Sequence, residues 1–171
     1  MDMRHAARRA DQMLDATFAA IIPEVAWSHH ITTTSSCVVK RRRKIMTVIS
    51  PQRLGSFLGV VQRHWTKSGY EITSVNKSRD MPAIFARSPD GFQLALNVGY
   101  AGQASFEVAT PCVAKSPVDA PRTPPNGPAY PPGEIPTPNV HSAFWSAGTP
   151  LSSPSPSPTP PPPSRRSTGG P

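Results

Sequence analysis

The distribution of proline divides this 171-residue chain into two parts with different folding potential. Five of the 23 prolines lie before residue 114, and the other 18 fall within residues 114–171. Proline lacks a backbone N–H and has a fixed φ, so it is poorly tolerated inside helices and central strands. The pattern predicts a folded domain over residues 1–113. It also predicts a disordered Pro/Ser-rich tail over residues 114–171, which has too little apolar area to offset the loss of chain entropy.

The spacing of apolar residues predicts two amphipathic helices in the domain. A stripe at i, i+3, i+4 and i+7 spacing predicts a helix over residues 4–22, which Pro23 ends. A second stripe predicts a helix over residues 51–68. Ser50 precedes it as a candidate N-cap, and Gly69 follows it where a left-handed residue is favoured.

The remaining segments of the domain predict an antiparallel sheet. Residues 27–34 and 38–49 are rich in β-branched side chains and flank a short polar connection, which is typical of a hairpin. Further predicted strands cover residues 70–76, 83–88, 92–98 and 103–110. The order of helix, hairpin, helix and three- to four-stranded meander shows no βαβ alternation, so the predicted fold class is α+β. The two helices are expected to pack on one face of the sheet and leave the other partly in contact with water.

Two cysteines lie at the ends of predicted strands. Cys37 begins the second hairpin strand and Cys112 follows the last strand, so we expect a disulfide between them. The loop-entropy model assigns such a bridge about 4 kcal/mol of stabilisation. Two unrelated buried thiols, or a Cys37 nucleophile with His29 or His30 as its base, are the alternatives. No CxxC motif and no closely spaced histidine pair of ligand type accompanies them, so no metal site is predicted.

Positive charge is concentrated in the predicted domain. The formal net charge of the chain is +8, and the first 113 residues hold 14 of the 18 basic and 8 of the 10 acidic side chains, a net +6. Five consecutive cations, Lys40 to Lys44, interrupt the second hairpin strand. We expect this end of the hairpin to overhang the helices as a solvated edge that resists edge-to-edge aggregation.

The predicted hairpin register brings these cations near two histidines. If Thr33 faces Val38, Arg41 lies near His30 and Arg42 lies near His29. Like charges directly opposite each other are destabilising, so both histidines should favour the neutral form.

The basic strand also suggests an anion-binding patch. Such a patch would face phosphates or carboxylates of a cell-wall polymer or of lipid head groups. Its candidate residues are Lys40, Arg41, Arg42, Arg43, Lys44, His29 and His30, with Arg63 and Lys67 as further cations. A cytoplasmic nucleic-acid-associated protein is the alternative. It is less favoured because Trp65 belongs to the apolar stripe of the second helix and Trp27 flanks the hairpin, so neither offers a free stacking surface.

No catalytic constellation is visible in the sequence. The eight carboxylates of the domain are scattered, and no nucleotide-binding, metalloprotease or serine-hydrolase motif occurs. We therefore expect a non-catalytic protein without a cofactor. In the tail, Pro160, Pro163 and Arg165 fit a PxxPxR ligand for an SH3-like groove, and a linker or wall-spanning stalk is the alternative.

Targeting signals are not visible either. No run of about 18 apolar residues occurs, so no transmembrane segment is predicted. The N-terminus has no apolar h-region typical of a secretory signal, whereas a disulfide needs an oxidising compartment. An export signal upstream of Met1 would reconcile the two observations.

Several segments resemble a family of small exported proteins and lipoproteins of actinobacteria. They are DQMLDATFAAIIPEVAW, KIMTVIS, FLGVVQRHW, GYEI, PAIFARSPDGFQLALNVG and ATPCV, together with Cys37. The resemblance covers about residues 9–113 and implies an envelope location and a Cys37–Cys112 pair. The family has no assigned activity, so the resemblance implies no catalytic residue. Its members usually carry a signal upstream of the first helix, and this chain begins almost at that helix, so a cytoplasmic location is the alternative.

Overall fold

A computed structural model describes residues 1–148 and has two helices against one face of a six-stranded antiparallel sheet. The elements are α1 (Met3–Ala19), β1 (Trp27–Thr34), β2 (Val39–Ile45), α2 (Pro51–Lys67), β3 (Glu71–Asn76), β4 (Ala83–Arg87), β5 (Gln93–Val98) and β6 (Ala104–Ala109). A short 3-10 turn, Tyr100–Gly102, joins β5 to β6. The predicted α+β class and the order of elements are confirmed.

The helices begin and end where local chemistry favours it. The Asp2 carboxylate caps α1 by accepting a hydrogen bond of 2.9 Å from the backbone N–H of His5. Ser50 occupies the N-cap position of α2, but its hydroxyl donates to the carbonyl of Ala147 at 2.6 Å and makes no cap bond. Gly69 follows α2 with a φ of +78°, a left-handed conformation that costs glycine little.

The strand order is β1-β2-β6-β5-β4-β3, so the N-terminal hairpin lies beside the last strand. Because β2 forms hydrogen bonds with β1 on one side and β6 on the other, it is not a sheet edge. The expectation of an overhanging basic edge is therefore wrong. Alternate residues of β5 and β6, among them Leu96 and Phe106, point toward the helices and form the core with Trp65 of α2.

The predicted disulfide joins Cys37 to Cys112, with their Cα atoms 4.7 Å apart. Lys40 of β2 pairs with Ala109 of β6. The same antiparallel register, continued three residues outward, places Cys37 opposite Cys112. The bridge therefore extends the β2·β6 pairing and fixes the end of the sheet at which both strands lie.

Residues 114–148 pack against the elements that precede them, mostly without regular secondary structure. Gly127 donates to the carbonyl of Trp27 at 2.8 Å, and Val140 forms a bridge with Thr47. Trp145 is 1% exposed and contacts Phe57 of α2 with ring centroids 5.5 Å apart. The expectation that nothing after residue 113 contributes to the core is wrong for this segment. The predicted PxxPxR ligand lies outside the described residues.

Candidate functional site: the two faces of strand β2

The alternation of β2 sends its five cations to opposite faces of the sheet. Arg41 and Arg43 share a face with the buried Val39 and Ile45, toward α1. Lys40, Arg42 and Lys44 point to the face that carries no helix, which we call the open face. The five cations therefore form two separate groups.

Arg41 is buried in a polar cage on the helix side, with 2% of its surface exposed. Its Nε lies 3.2 Å from a carboxylate oxygen of Asp11 as an ion pair without hydrogen-bond geometry. Its Nη1 donates to Thr32 Oγ1 at 2.7 Å and its Nη2 donates to the carbonyl of Asp119 at 2.6 Å. Burial raises the pKa of Asp11, and the charge of Arg41 opposes that rise. Arg41 is thus a structural partner of a largely buried carboxylate.

Arg43 occupies a second buried position on the same face of β2, two residues after Arg41. It is 1% exposed and its Nη2 donates to Asp15 Oδ1 at 2.5 Å. Its guanidinium carbon lies 3.9 Å from the centroid of the Trp27 ring and 5.2 Å from that of Phe18. Burial lowers the pKa of Arg43, while the hydrogen bond to Asp15 opposes this shift. The prediction that Arg41 and Arg43 are solvent-exposed is wrong, because α1 supplies a carboxylate to each.

The open face holds the remaining cations around one carboxylate. Glu107 of β6 lies 3.2 Å from Lys40 Nζ and 2.5 Å from Arg42 Nε. Burial alone would raise the pKa of Glu107, but the hydrogen bond from Arg42 and the nearby Lys40 outweigh it, so its pKa is lowered. Within residues 1–148, Lys44 has no carboxylate at ion-pair distance. Burial, and then the charge of Arg42, lower the pKa of Lys44. The open face thus carries more positive than negative charge along β2.

The two histidines are also divided between the faces. His30 pairs with Arg42 and His29 pairs with Arg43, one position away from the predicted register, which is therefore wrong. Burial, and then Lys44 and Arg42, lower the pKa of His30, and Tyr130 Oη lies 3.2 Å from its Nδ1. His29 Nε2 lies 2.7 Å from the carbonyl of Thr123 on the helix side.

Of the predicted anion-binding residues, the open face brings together Lys40, Arg42, Lys44 and His30. It excludes Arg41, Arg43 and His29. The further candidates Arg63 and Lys67 are exposed on α2, in the helix layer, and do not join the open face.

Two residues of the open face were not predicted as part of a site. Phe85 and Arg87 of β4 are exposed there, separated from β2 by β5 and β6. Their alternation with the buried Ile84 and Ala86 is the period-2 signal that could have placed them on one face.

Other chemistry is limited by what the described residues bring together. The Cys37 sulfur is bonded to Cys112, so it is not a free thiolate nucleophile in this form. No group of three or more His, Cys, Asp or Glu side chains in residues 1–148 could hold a metal ion. None of the helices in that range has the length and apolar character needed to cross a membrane.

Comparison with known proteins adds little information on function to what the chain itself shows. No protein-family model matches the sequence, and no curated protein matches it. Among solved structures, LppA from Mycobacterium tuberculosis, named as a candidate lipoprotein, is similar with a TM-score of 0.41 and 14% sequence identity. The similarity covers 71% of this chain and 82% of LppA.

Proposed function

We propose that the protein is a non-catalytic component of the cell envelope that binds anionic polymers or lipid head groups through Lys40, Arg42 and Lys44. The observation that carries the proposal is that these three cations lie on a sheet face without helices, where Glu107 pairs with Lys40 and Arg42 but not with Lys44. Surplus positive charge on an accessible surface attracts polyanions, with an affinity that falls steeply as salt screens it.

The disulfide supports the envelope over the cytoplasm as the site of action. Structural disulfides form and persist in oxidising compartments and are rare where glutathione keeps thiols reduced. The bridge continues the register of two interior strands, so it is part of the sheet's construction. A cytoplasmic nucleic-acid-associated protein is the weaker alternative for this reason.

Binding is tested by removing two open-face charges while keeping the Arg42–Glu107 pair intact. We expect Lys40→Gln/Lys44→Gln to weaken binding to phosphatidylglycerol vesicles and to polyphosphate at low salt by about 30-fold, because a cation near an anionic surface contributes roughly 1 kcal/mol. Sedimentation with vesicles and fluorescence titration with the polymer, each over a range of salt concentrations, measure this.

The matched control is Arg63→Gln/Lys67→Gln, which removes the same charge from exposed positions in the helix layer. It should retain most of the binding and the same unfolding temperature as the open-face variant. Equal loss in the two double variants would show that net charge, and not the open face, determines binding, and would contradict the proposal.

Location is tested by the redox state of the cysteines in the native host. Protein trapped by acid and then alkylated should show no reactive thiol at Cys37 or Cys112, because the envelope is oxidising. A mass spectrum with two alkylated cysteines would place the protein in a reducing compartment and contradict the envelope proposal.

A further inference from the structure

The open face of the sheet is shaped as a trough of about 460 Å³ between β2 and β4. The floor includes the small side chains Ala95 of β5 and Ala109 of β6. Lys40 rises on one side and Phe85 and Arg87 on the other. Neighbouring strands are about 4.8 Å apart, so backbones three strands apart are separated by about 14 Å. A single extended chain lying along the strands fits between such walls.

Both walls of the trough carry positive charge. Across the sheet, Lys40 pairs with Ala109, Ala109 with Gln93, and Gln93 with Arg87. Arg87 also pairs with Glu71 in the register of β3. Even so, within the part of the chain that the structure describes, Arg87 has no carboxylate at ion-pair distance. Glu107 also lines the trough, where it lies 3.2 Å from Lys40 Nζ and 2.5 Å from Arg42 Nε. Lys40, Arg42 and Arg87 outnumber this one carboxylate, so the surplus positive charge is complementary to a ligand that bears negative charge along its length.

The uncharged groups of the trough distinguish between anionic ligands. Phe85 is 37% exposed, and its ring offers an apolar surface against which the C–H face of a sugar can pack. Gln93 of β5 lines the trough and is exposed, and its amide can both donate to and accept from hydroxyl groups. A bare phosphate polymer has neither an apolar face nor hydroxyl groups for these side chains to contact.

We infer that this trough binds a single extended chain of an acidic polysaccharide, with Lys40 and Arg87 contacting its charged groups and Phe85 a sugar ring. The inference rests on the proposed function and names its ligand class. A bilayer surface is too flat to reach the floor of a trough, so lipid head groups would touch only the rim. Phe85 is the one aromatic side chain lining the trough among the described residues, whereas single-stranded nucleic acid is bound on successive aromatic platforms.

The test compares four probes on the full chain by titration calorimetry: polygalacturonate, polyphosphate, phosphatidylglycerol vesicles and an oligothymidylate. We expect polygalacturonate to bind most tightly. Phe85→Ala should weaken that binding about tenfold, since loss of an aromatic contact has an effect of this order, while changing polyphosphate and vesicle binding less than twofold. Tyr100→Ala, which removes an 84% exposed aromatic ring outside the trough, should leave all four affinities unchanged.

A second variant, Gln93→Ala, keeps the test decisive if Phe85→Ala unfolds, and it should also weaken only polygalacturonate binding. If polyphosphate and vesicles bind as tightly as polygalacturonate and both variants behave as wild type, the inference fails and the proposed function stands. Tightest binding of the oligothymidylate, lost in Phe85→Ala, would assign the trough to nucleic acid instead. If none of the four probes binds, the inference and the proposed function both fail.

Discussion

Arg41 and Arg42 are adjacent in sequence and carry the same charge, but their side chains lie on opposite faces of the sheet. Replacing Arg41 by Gln should lower the free energy of unfolding by about 3–5 kcal/mol, the range for breaking a buried ion pair. The reason is that Asp11 would stay largely buried and lose its ion pair of 3.2 Å with Arg41. Denaturant unfolding of the variant and wild type at pH 7 measures the change.

Arg42→Gln is the matched control for this prediction. Glu107 would still have Lys40 at 3.2 Å, so the cost should be about 1 kcal/mol. Similar stabilities for the two variants would mean that the buried and open faces of β2 do not differ as the structure describes.

The Arg41→Gln variant should also become less stable as pH rises. Burial raises the pKa of Asp11, and removing Arg41 removes an influence that lowers it. A carboxyl with a raised folded-state pKa binds its proton more tightly in the folded state. Its protonated form therefore contributes stability below the ordinary pKa of about 3.9, and this is lost as pH rises through the folded-state value. The deficit relative to wild type should thus be larger at pH 7 than at pH 4.

At the scale of the elements, the pairing of α1 with β2 depends on a match of two repeats. Asp11 and Asp15 are four residues apart on a helix, a rise of about 6 Å, and Arg41 and Arg43 are two residues apart on a strand, a rise of about 6.6 Å. The two ion pairs can therefore form side by side. Period-2 alternation alone predicts that Arg41 and Arg43 share the face of Val39 and Ile45. An overhanging edge was predicted despite this alternation, because the carboxylates of α1 that pair with the two arginines are distant from them in sequence.

The hairpin register was less accessible from the sequence. The pairing changes by one position between His30 and Thr33 of β1, so an extra residue separates the two halves of the ladder. Such a bulge moves every pairing on one side of it relative to the other. Beside the turn, Thr33 pairs with Lys40 instead of Val38, so the predicted register is two positions off there, and the bulge reduces the difference to one position at His29 and His30. A turn at Ser35-Ser36 thus predicts that a hairpin exists, but not which residues of its strands pair.

The segment 114–148 makes a separate contribution to stability, centred on Trp145. Trp145→Ala should lower the unfolding temperature by about 10 °C, because loss of a buried tryptophan costs about 3–5 kcal/mol and each kcal/mol shifts a chain of this size by about 2–4 °C. Deleting residues 117–171 should cost at least as much. Thermal scans by circular dichroism measure both changes.

Trp145→Phe serves as the control, since it keeps a smaller aromatic ring beside Phe57 while losing the hydrogen bond of 2.6 Å from Nε1 to the carbonyl of Pro23. Its loss should be well below that of Trp145→Ala. If deletion of residues 117–171 leaves the unfolding temperature unchanged, Trp145 does not belong to the core.

At the scale of the whole molecule, the sequence predicted the fold class and the order of elements because periodicity and turn residues are local signals. Strands that are adjacent in the sheet can be far apart in the sequence, and the two cysteines gave one clue to such a pair. A disulfide between Cys37, at the start of one strand, and Cys112, after the end of another, favours an antiparallel pairing of those strands, which is the β2·β6 pairing of the structure. The packing of residues 114–148 had no such signal, since it depends on single anchors such as Trp145 and Asn126 and on no apolar repeat.

The Cys37–Cys112 bridge also determines how the molecule responds to tension. A force applied to its two ends passes through the covalent bridge and bypasses the chain between the cysteines, which includes β2, α2 and β3 to β6. The cysteines are 75 positions apart, and at about 3.4 Å per extended residue this removes about 250 Å of extensible length. Only α1, β1 and the segments after Cys112 can be drawn out while the bridge is intact. Stretching would thus peel away the helix that neutralises Arg41 and Arg43 and would leave the trough between β2 and β4 within the closed loop.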